Sequence, residues 1–179
     1  MSISKSKSIA FAETFTEHGG FFVYNASKKE ASSSLRDLLQ VKKSVDCICM
    51  DYESEQMLLS VDSRWPIRRS YPERASCVLT ACSSLIVEGG MVLLDESKGK
   101  LLGLPTMPDR LVIMAFHNQC VSLSDTDFEA PKPNSFLMDL SGGKGLAEFG
   151  FSNIYLSHIP KEVYLFFIDE ANWYTTSRQ

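Results

Sequence analysis

An open α/β sheet, mostly parallel at least in its first half and flanked by helices, is the fold class this sequence predicts. Three observations predict it. Strand-like runs of β-branched and aromatic residues alternate with helical patterns from residue 21 to residue 81. Two further strand-length apolar runs follow, one at Leu111 to Phe116 and one at Val163 to Asp169. The chain is also the right size and composition for one core: 179 residues, 44% apolar and 22% charged, with no internal repeat and no Pro/Gly/Ser-rich stretch long enough to be a linker.

The elements are justified in order along the chain. Residues 1–19, which hold Phe11 and Phe15 among polar residues, predict a short helix packed on the domain or a partly ordered arm; Gly19-Gly20 ends the segment, and residues 20–179 form the single domain. Phe21-Phe22-Val23-Tyr24 is a strand by its residue types. Ser27, with Glu30 three residues on, is the signature of a helix start. Leu35, Leu38 and Leu39 then give the i, i+3, i+4 stripe of a helix lying on a sheet. Asp46 to Asp51 is a second strand and Glu53 to Val61 a second helix, which makes two β-α units in succession. Trp65-Pro66 through Tyr71-Pro72 is a loop, because each proline disfavours helix at the residue before it. Ser76 to Ala81 is the third strand of the series, and Leu111 to Phe116 a later one. A polar loop runs from Ser124 to about Ser135, and Asn153 to Leu156 and Val163 to Asp169 are the last strands.

Between these lies Leu85-Ile86-Val87-Glu88-Gly89-Gly90-Met91-Val92-Leu93-Leu94, two apolar strings interrupted by a charge and two glycines. Two readings stand. The glycines make a corner between paired strands, or they allow a turn whose exposed N–H groups face an anion; the corner is the plainer of the two.

Composition excludes several function classes. A formal charge of −4, with no cluster of Lys and Arg interleaved with aromatics, predicts no nucleic-acid partner. The apolar runs reach about six residues, far below the roughly 20 that span a bilayer, so a membrane role is not expected and the cytoplasm is the expected compartment. Cys47, Cys49, Cys77, Cys82 and Cys120 are odd in number and sit in or beside apolar segments, the pattern of buried thiols rather than of a disulfide framework or a metal site. No cysteine spacing suits an iron-sulfur cluster and no dinucleotide fingerprint is present, so no cofactor is expected.

In an open α/β sheet, ligands bind beyond the carboxyl ends of the strands. That rule points to Asp51, Thr80 to Ser84, the Glu88-Gly89-Gly90 step and the loop after Phe116. Ser141-Gly142-Gly143-Lys144-Gly145 invites a phosphate-loop reading, but Gly145 stands where the Ser or Thr of that loop belongs, which disfavours a nucleotide triphosphatase. A flexible loop holding one anionic group on Lys144 is the alternative.

Several weak matches in a fixed order carry a family resemblance. Leu79-Thr80-Ala81 is followed by Ile86-Val87-Glu88-Gly89-Gly90-Met91, then Leu104-Pro105, then Arg110-Leu111-Val112-Ile113. Later come Gly142, Ala147 and Glu148, the Ser157-His158-Ile159-Pro160 step and the strand from Val163. The series, over residues 20 to 170, resembles the LUD (lactate-utilization) domain family of the LutB/LutC type, with Gly89 and Met91 in place of two hydroxyl residues of that pattern. The resemblance implies a Rossmann-like sheet of the NagB/RpiA/CoA-transferase-like group. It also implies an accessory role in oxidising lactate to pyruvate, with the redox centres on iron-sulfur partner subunits.

On that footing the ligand-binding residues are Thr80, Glu88, Gly89, Gly90, Gly142, Lys144, Glu148 and His158, and the ligand a small anionic metabolite. Glu88, by analogy with acyl-CoA transferases, could attack a thioester carbonyl, and His158 could act as an acid or base. Each has a structural alternative: Glu88 capping a turn or pairing with Lys98 or Lys100, His158 satisfied within the fold. The rival functions are an acyl-CoA transferase, a sugar-phosphate isomerase, or a scaffold with a decayed pocket. Residues 1–19 are candidates for a homodimer or partner interface.

Overall fold

The computed structural model of the chain describes residues 3–43, 46–65, 76–101, 108–156 and 158–171. Helix α1 (Ile3–Glu17) precedes two β-α units, β1 (Phe21–Asn25) with α2 (Lys28–Val41) and β2 (Cys47–Cys49) with α3 (Tyr52–Val61). Strand β3 (Cys77–Ala81) leads to β4 (Ser84–Ile86) and β5 (Met91–Leu94), joined through a 3₁₀ turn at Glu88–Gly90. After a 3₁₀ segment, Glu96–Leu101, come β6 (Arg110–Phe116), β7 (Cys120–Val121), β8 (Phe136–Met138), α4 (Lys144–Phe149), β9 (Ile154–Tyr155) and β10 (Glu162–Ile168).

Five strands form the expected parallel sheet, in the order β1-β10-β6-β3-β2, every neighbouring pair parallel. Its two central strands, β6 and β10, are buried at every position after the first, because a strand covered on both faces needs an unbroken apolar run. Alternate side chains divide between two cores. Leu111, Ile113, Ala115, Val163, Leu165 and Phe167 face one, Val112, Met114, Phe116, Tyr164, Phe166 and Ile168 the other. Helices α2 and α3 close the second core with Ala31, Leu35, Leu39, Met57 and Leu58. The helix start at Ser27 is as its sequence suggests: Ser27 Oγ accepts the Glu30 N–H at 3.2 Å, and Glu30 reaches back to the Ala26 N–H at 2.7 Å.

The first core is closed by a second layer, of which the sequence predicts only the β4–β5 corner and a strand at Asn153 to Leu156, not the sheet that joins them. Strands β7-β4-β5-β8-β9 make a second sheet of mixed direction, in which β4 and β8 run antiparallel to β5. Here β7 and β9 are two residues long and β8 three, too short to carry a periodic signal of their own. Phe136-Leu137-Met138 accordingly has no element assigned to it from the sequence, although all three are buried. Helix α4 covers the outer face of this sheet with Leu146 and Phe149 against Ile86, Met91 and Leu137. The expected corner at Glu88-Gly89-Gly90 is real: β4 and β5 pair antiparallel across it, with Ile86 opposite Met91.

The N-terminal segment is an integral part of the fold, not a loose arm. Phe11 and Phe15, four residues apart on α1, stack at 5.4 Å between ring centroids and are wholly buried in the first core. At about 1.5–3 kcal/mol for each large apolar side chain removed from water, the pair is a substantial share of a domain's net stability. Helix α1 comes so close to the Glu-Gly-Gly corner that a Cβ on Gly90 would lie 2.9 Å from the Phe15 backbone nitrogen, and Gly90 has φ of +60°. The loop expected at residues 65–72 lies beyond Trp65, outside the described residues, as does Leu104-Pro105 of the family pattern. Among the described residues no helix is long and apolar enough to cross a membrane.

Two constraints meet at Gly90, and the cost of violating both is predictable. Gly90→Ala should lower the unfolding free energy by about 2–4 kcal/mol, from the left-handed backbone and the clash with α1 together. Gly142→Ala, at φ of +80° with nothing within 4 Å of the new methyl, should cost less than half as much. Equal losses in urea denaturation would mean that the α1 contact contributes nothing.

Candidate functional site

The carboxyl edge of the parallel sheet holds a buried charged cluster built on Asp51, the residue after the β2 apolar run. Its Oδ1 accepts the Ser54 N–H at 2.9 Å, capping α3. Its Oδ2 accepts the Ala81 N–H at 2.9 Å and the Lys98 ammonium at 2.6 Å. The Thr80 hydroxyl, wholly buried, lies 3.3 Å from the same oxygen and 2.9 Å from the Ala81 carbonyl. Side-chain exposure is 7% for Lys98 and 9% for Asp51, so this ion pair is nearly withdrawn from water. Burial by itself would raise the Asp51 carboxyl. The Lys98 charge and hydrogen bond, the Ala81 amide and Ser54 outweigh it, and the net shift is downward.

Thr80 is thus the one candidate ligand residue that joins this cluster. Strand-end location alone points to Asp51, and Lys98 is expected from sequence only as a partner for Glu88, which it is not. The signal that could have found the pair is weak, since Lys98 is 47 residues from Asp51 and lies in a polar segment.

Glu88 serves the corner itself. One carboxylate oxygen accepts the Ser122 hydroxyl at 2.6 Å and the other the Leu123 N–H at 3.0 Å, which ties the 3₁₀ turn to the segment after β7. This is the turn-capping alternative rather than the pairing with Lys98. The Gly90 N–H donates to the Val87 carbonyl at 3.2 Å, and Gly90 is buried under α1. Gly89 takes φ of +79° with Met91 and Phe149 at van der Waals distance from where a Cβ would stand.

The glycine-rich step at 141–145 starts helix α4, and its anion is already resident. Asp139, wholly buried, accepts the Gly145 N–H at 2.8 Å, the Leu146 N–H at 3.2 Å, the Ser141 N–H at 2.9 Å and the Ser141 hydroxyl. A Cβ on Gly145 would lie 2.9 Å from that carboxylate, so the glycine lets Asp139 approach the backbone. Gly142 and Gly143 bring the chain round at φ of +80° and +90°. Lys144 and Glu148 are exposed on α4 and His158 is exposed after β9, while Ser157 lies outside the described residues. The structure therefore brings Thr80 to Asp51 and Lys98, and sets the Glu88–Gly90 corner against α4, while the Glu88 carboxylate is spent on Ser122 and Leu123 and His158 is exposed.

Of the other titratable candidates, His117 Nδ1 stands 3.6 Å from Asp169 just beyond β6 and β10. His18, at the end of α1, keeps a buried Nδ1 with no hydrogen-bond partner. All five cysteines are free and buried. Cys47 and Cys77 are register neighbours on β2 and β3. Burial pushes the Cys49 and Cys120 thiols up to about 12, and a thiol that stays protonated at neutral pH is a poor nucleophile. Among the described residues no group of three or more His, Cys, Asp or Glu side chains is placed to hold a metal ion.

Four cavities stand out among the described residues, and none of the four is lined by Asp51, Lys98, Glu88, Lys144 or His158. With the geometry in place, comparison with known proteins adds one finding. No family model matches the chain, and no curated protein matches it. A crystal structure of a DUF162 family protein from Deinococcus radiodurans superposes with a TM-score of 0.57 at 15% sequence identity, over 94% of this chain and 99% of that one. DUF162 is the LUD domain family. A likeness at this identity shows the shared fold: α/β, with a mostly parallel five-stranded sheet flanked by helices.

The buried pair has a pH signature. Because the Asp51 carboxyl is held below its ordinary value in the folded chain, its contribution to stability is present above about pH 4 and is lost as pH falls through the depressed folded value. Lys98→Met should lower the unfolding free energy at neutral pH by about 3–5 kcal/mol, since it strands a buried carboxylate, and should flatten the acid limb of stability against pH. Adding Asp51→Asn to Lys98→Met should cost little more than Lys98→Met alone. Additive losses in the double variant would mean that the two side chains act independently.

Proposed function

We propose that this chain is a LUD-type domain acting as a non-catalytic accessory component of lactate utilization in the cytoplasm, beside partner subunits that carry the iron-sulfur centres. The observation that carries this reading is a coincidence of order and fold. A series of motif matches, each weak alone, runs through a chain whose fold is like that of a DUF162 protein over nearly the full length of both. The accessory role is supported by how the candidate catalytic groups are used. Both oxygens of Glu88 are committed to the segment after β7, His158 is exposed, and a carboxylate bound in this way is not free to attack a thioester.

A second reading, an enzyme of the acyl-CoA transferase or sugar-phosphate isomerase kind, draws on the Asp51–Lys98 pair. Buried ionisable groups at the carboxyl edge of a parallel sheet are where catalysis is found in such folds. That reading requires substrate to separate a pair of side chains that are nearly closed to water, and it is the weaker one.

Growth tests the lactate reading and the non-catalytic use of Glu88 and His158. A strain lacking the chain should grow slowly on lactate as sole carbon source and normally on glucose. A variant combining Glu88→Gln with His158→Ala, expressed at the wild-type level, should restore growth on lactate. Normal growth of the deletion strain on lactate would remove the lactate reading. A variant that is present, folded and unable to restore growth would replace the accessory role by a catalytic one.

A further inference from the structure

A groove between α2 and α3 is built for an anion, although the chain as a whole is acidic. It forms a cavity of about 600 Å³, within the usual range for small-molecule sites. Lys28, Lys29 and Arg36 of α2 line it, and no carboxylate is among its lining side chains. The remaining wall is Ser32 and Ser33 of α2 with Gln56 and Ser60 of α3, all of which carry hydrogen-bond donors. Ser32 and Ser60 meet at 2.9 Å between their hydroxyl oxygens, which fixes the two helices to each other across the groove.

Two of the cations are held in place. Arg36 Nη2 donates to the Val61 carbonyl at 3.3 Å, using one of five N–H donors on that guanidinium. Lys28 Nζ stands 5.5 Å above the centre of the Phe116 ring, at the carboxyl end of the central strand β6, which is the edge where ligands of such sheets bind. Burial pulls the Lys28 ammonium down to about 8, partly offset by Glu170, whose carboxylate accepts the Lys28 N–H and lies outside the lining. The Lys28 nitrogen is itself closed to solvent, so the charges open to a ligand in the groove are those of Lys29 and Arg36.

We propose that this groove binds a small phosphorylated metabolite through its phosphate group, with the exposed Lys29 and Arg36 supplying charge and Ser33 and Gln56 supplying neutral donors. Phosphate is favoured over a carboxylate because two exposed cations and several separate neutral donors line the groove, more than two carboxylate oxygens can use. The inference does not depend on the lactate reading, and growth on lactate does not test it.

The test is calorimetric titration of the full chain with inorganic pyrophosphate at low ionic strength. Saturable binding to one site is expected, weakened about tenfold or more in Lys29→Gln/Arg36→Gln and in Ser33→Glu, and unchanged in Lys161→Gln, an exposed lysine elsewhere. Thermal unfolding of each variant without ligand should match that of the wild type. If Lys29→Gln/Arg36→Gln unfolds early, Ser33→Glu, which removes no existing bond to Arg36, decides alone. Absence of saturable binding, equal affinity in wild type and Ser33→Glu, or tighter binding of citrate than of pyrophosphate would each overturn the proposal.

Discussion

Burying the Asp51 carboxylate is the constraint around which the carboxyl edge of the sheet is organised. An ionised carboxyl withdrawn from water costs several kcal/mol unless its lone pairs are met. Here they are met by donors from four places: the first turn of α3, the β3 backbone at Ala81, the Thr80 hydroxyl and Lys98 of the 3₁₀ segment. Each donor fixes one element relative to β2. The end of β3 cannot shift without leaving the carboxylate short, and Lys98 brings the chain after β5 back over the edge of the parallel sheet. A pair of this kind is weak evidence for added stability, because well-packed apolar residues could replace it at little cost. What it specifies is one arrangement of these segments and no other.

The same device recurs in the second layer, where Glu88 joins the 3₁₀ turn to the strand-end after β7 and Asp139 sits at the start of α4. In all three cases a resident carboxylate occupies amides that would otherwise face an outside anion. The turn at 141–145 shows why motif and structure diverge. A run of glycines beside a lysine is what a phosphate-cradling loop needs, and equally what a buried aspartate needs to reach backbone N–H groups at 2.8 Å. The glycines report close approach. They do not report what approaches.

Legibility follows the length and burial of the elements. Strands β6 and β10, seven residues each and buried throughout after the first position, stand out of the sequence because continuous apolar runs have few other uses. The start of α2 is legible as well, since Ser27 and Glu30 perform local chemistry that needs no distant partner. The second sheet is legible only at its β4–β5 corner and at β9, because strands of two to four residues become one apolar layer only once β4, β5 and β8 lie side by side. Helix α1 is half legible: Phe11 and Phe15 share a face, but their burial depends on a corner some 75 residues further on. The site suffers most. Thr80 can be singled out from its place at a strand end, whereas the pairing of Asp51 with Lys98 is fixed by how one segment folds over another, which no local spacing encodes.

Charge placement follows from the same packing. With 22 acidic and 18 basic residues the chain has a formal charge of −4, which at the level of composition argues against anionic ligands. Net charge, however, describes the far field, while a ligand meets the side chains within a Debye length of about 8–10 Å. Asp51, Glu88 and Asp139 are committed inside the fold, and Asp125, Asp127 and Glu129 lie together along the loop that lines a different cavity. Although α2 and α3 carry Glu30, Asp37, Glu53 and Glu55, no carboxylate lines the groove between them, where Lys28, Lys29 and Arg36 form one wall. The amides of Ala81, Leu123 and Gly145 are already filled by the chain's own carboxylates. The α2–α3 groove differs in being furnished by side chains, on the opposite face of the parallel sheet from the second layer.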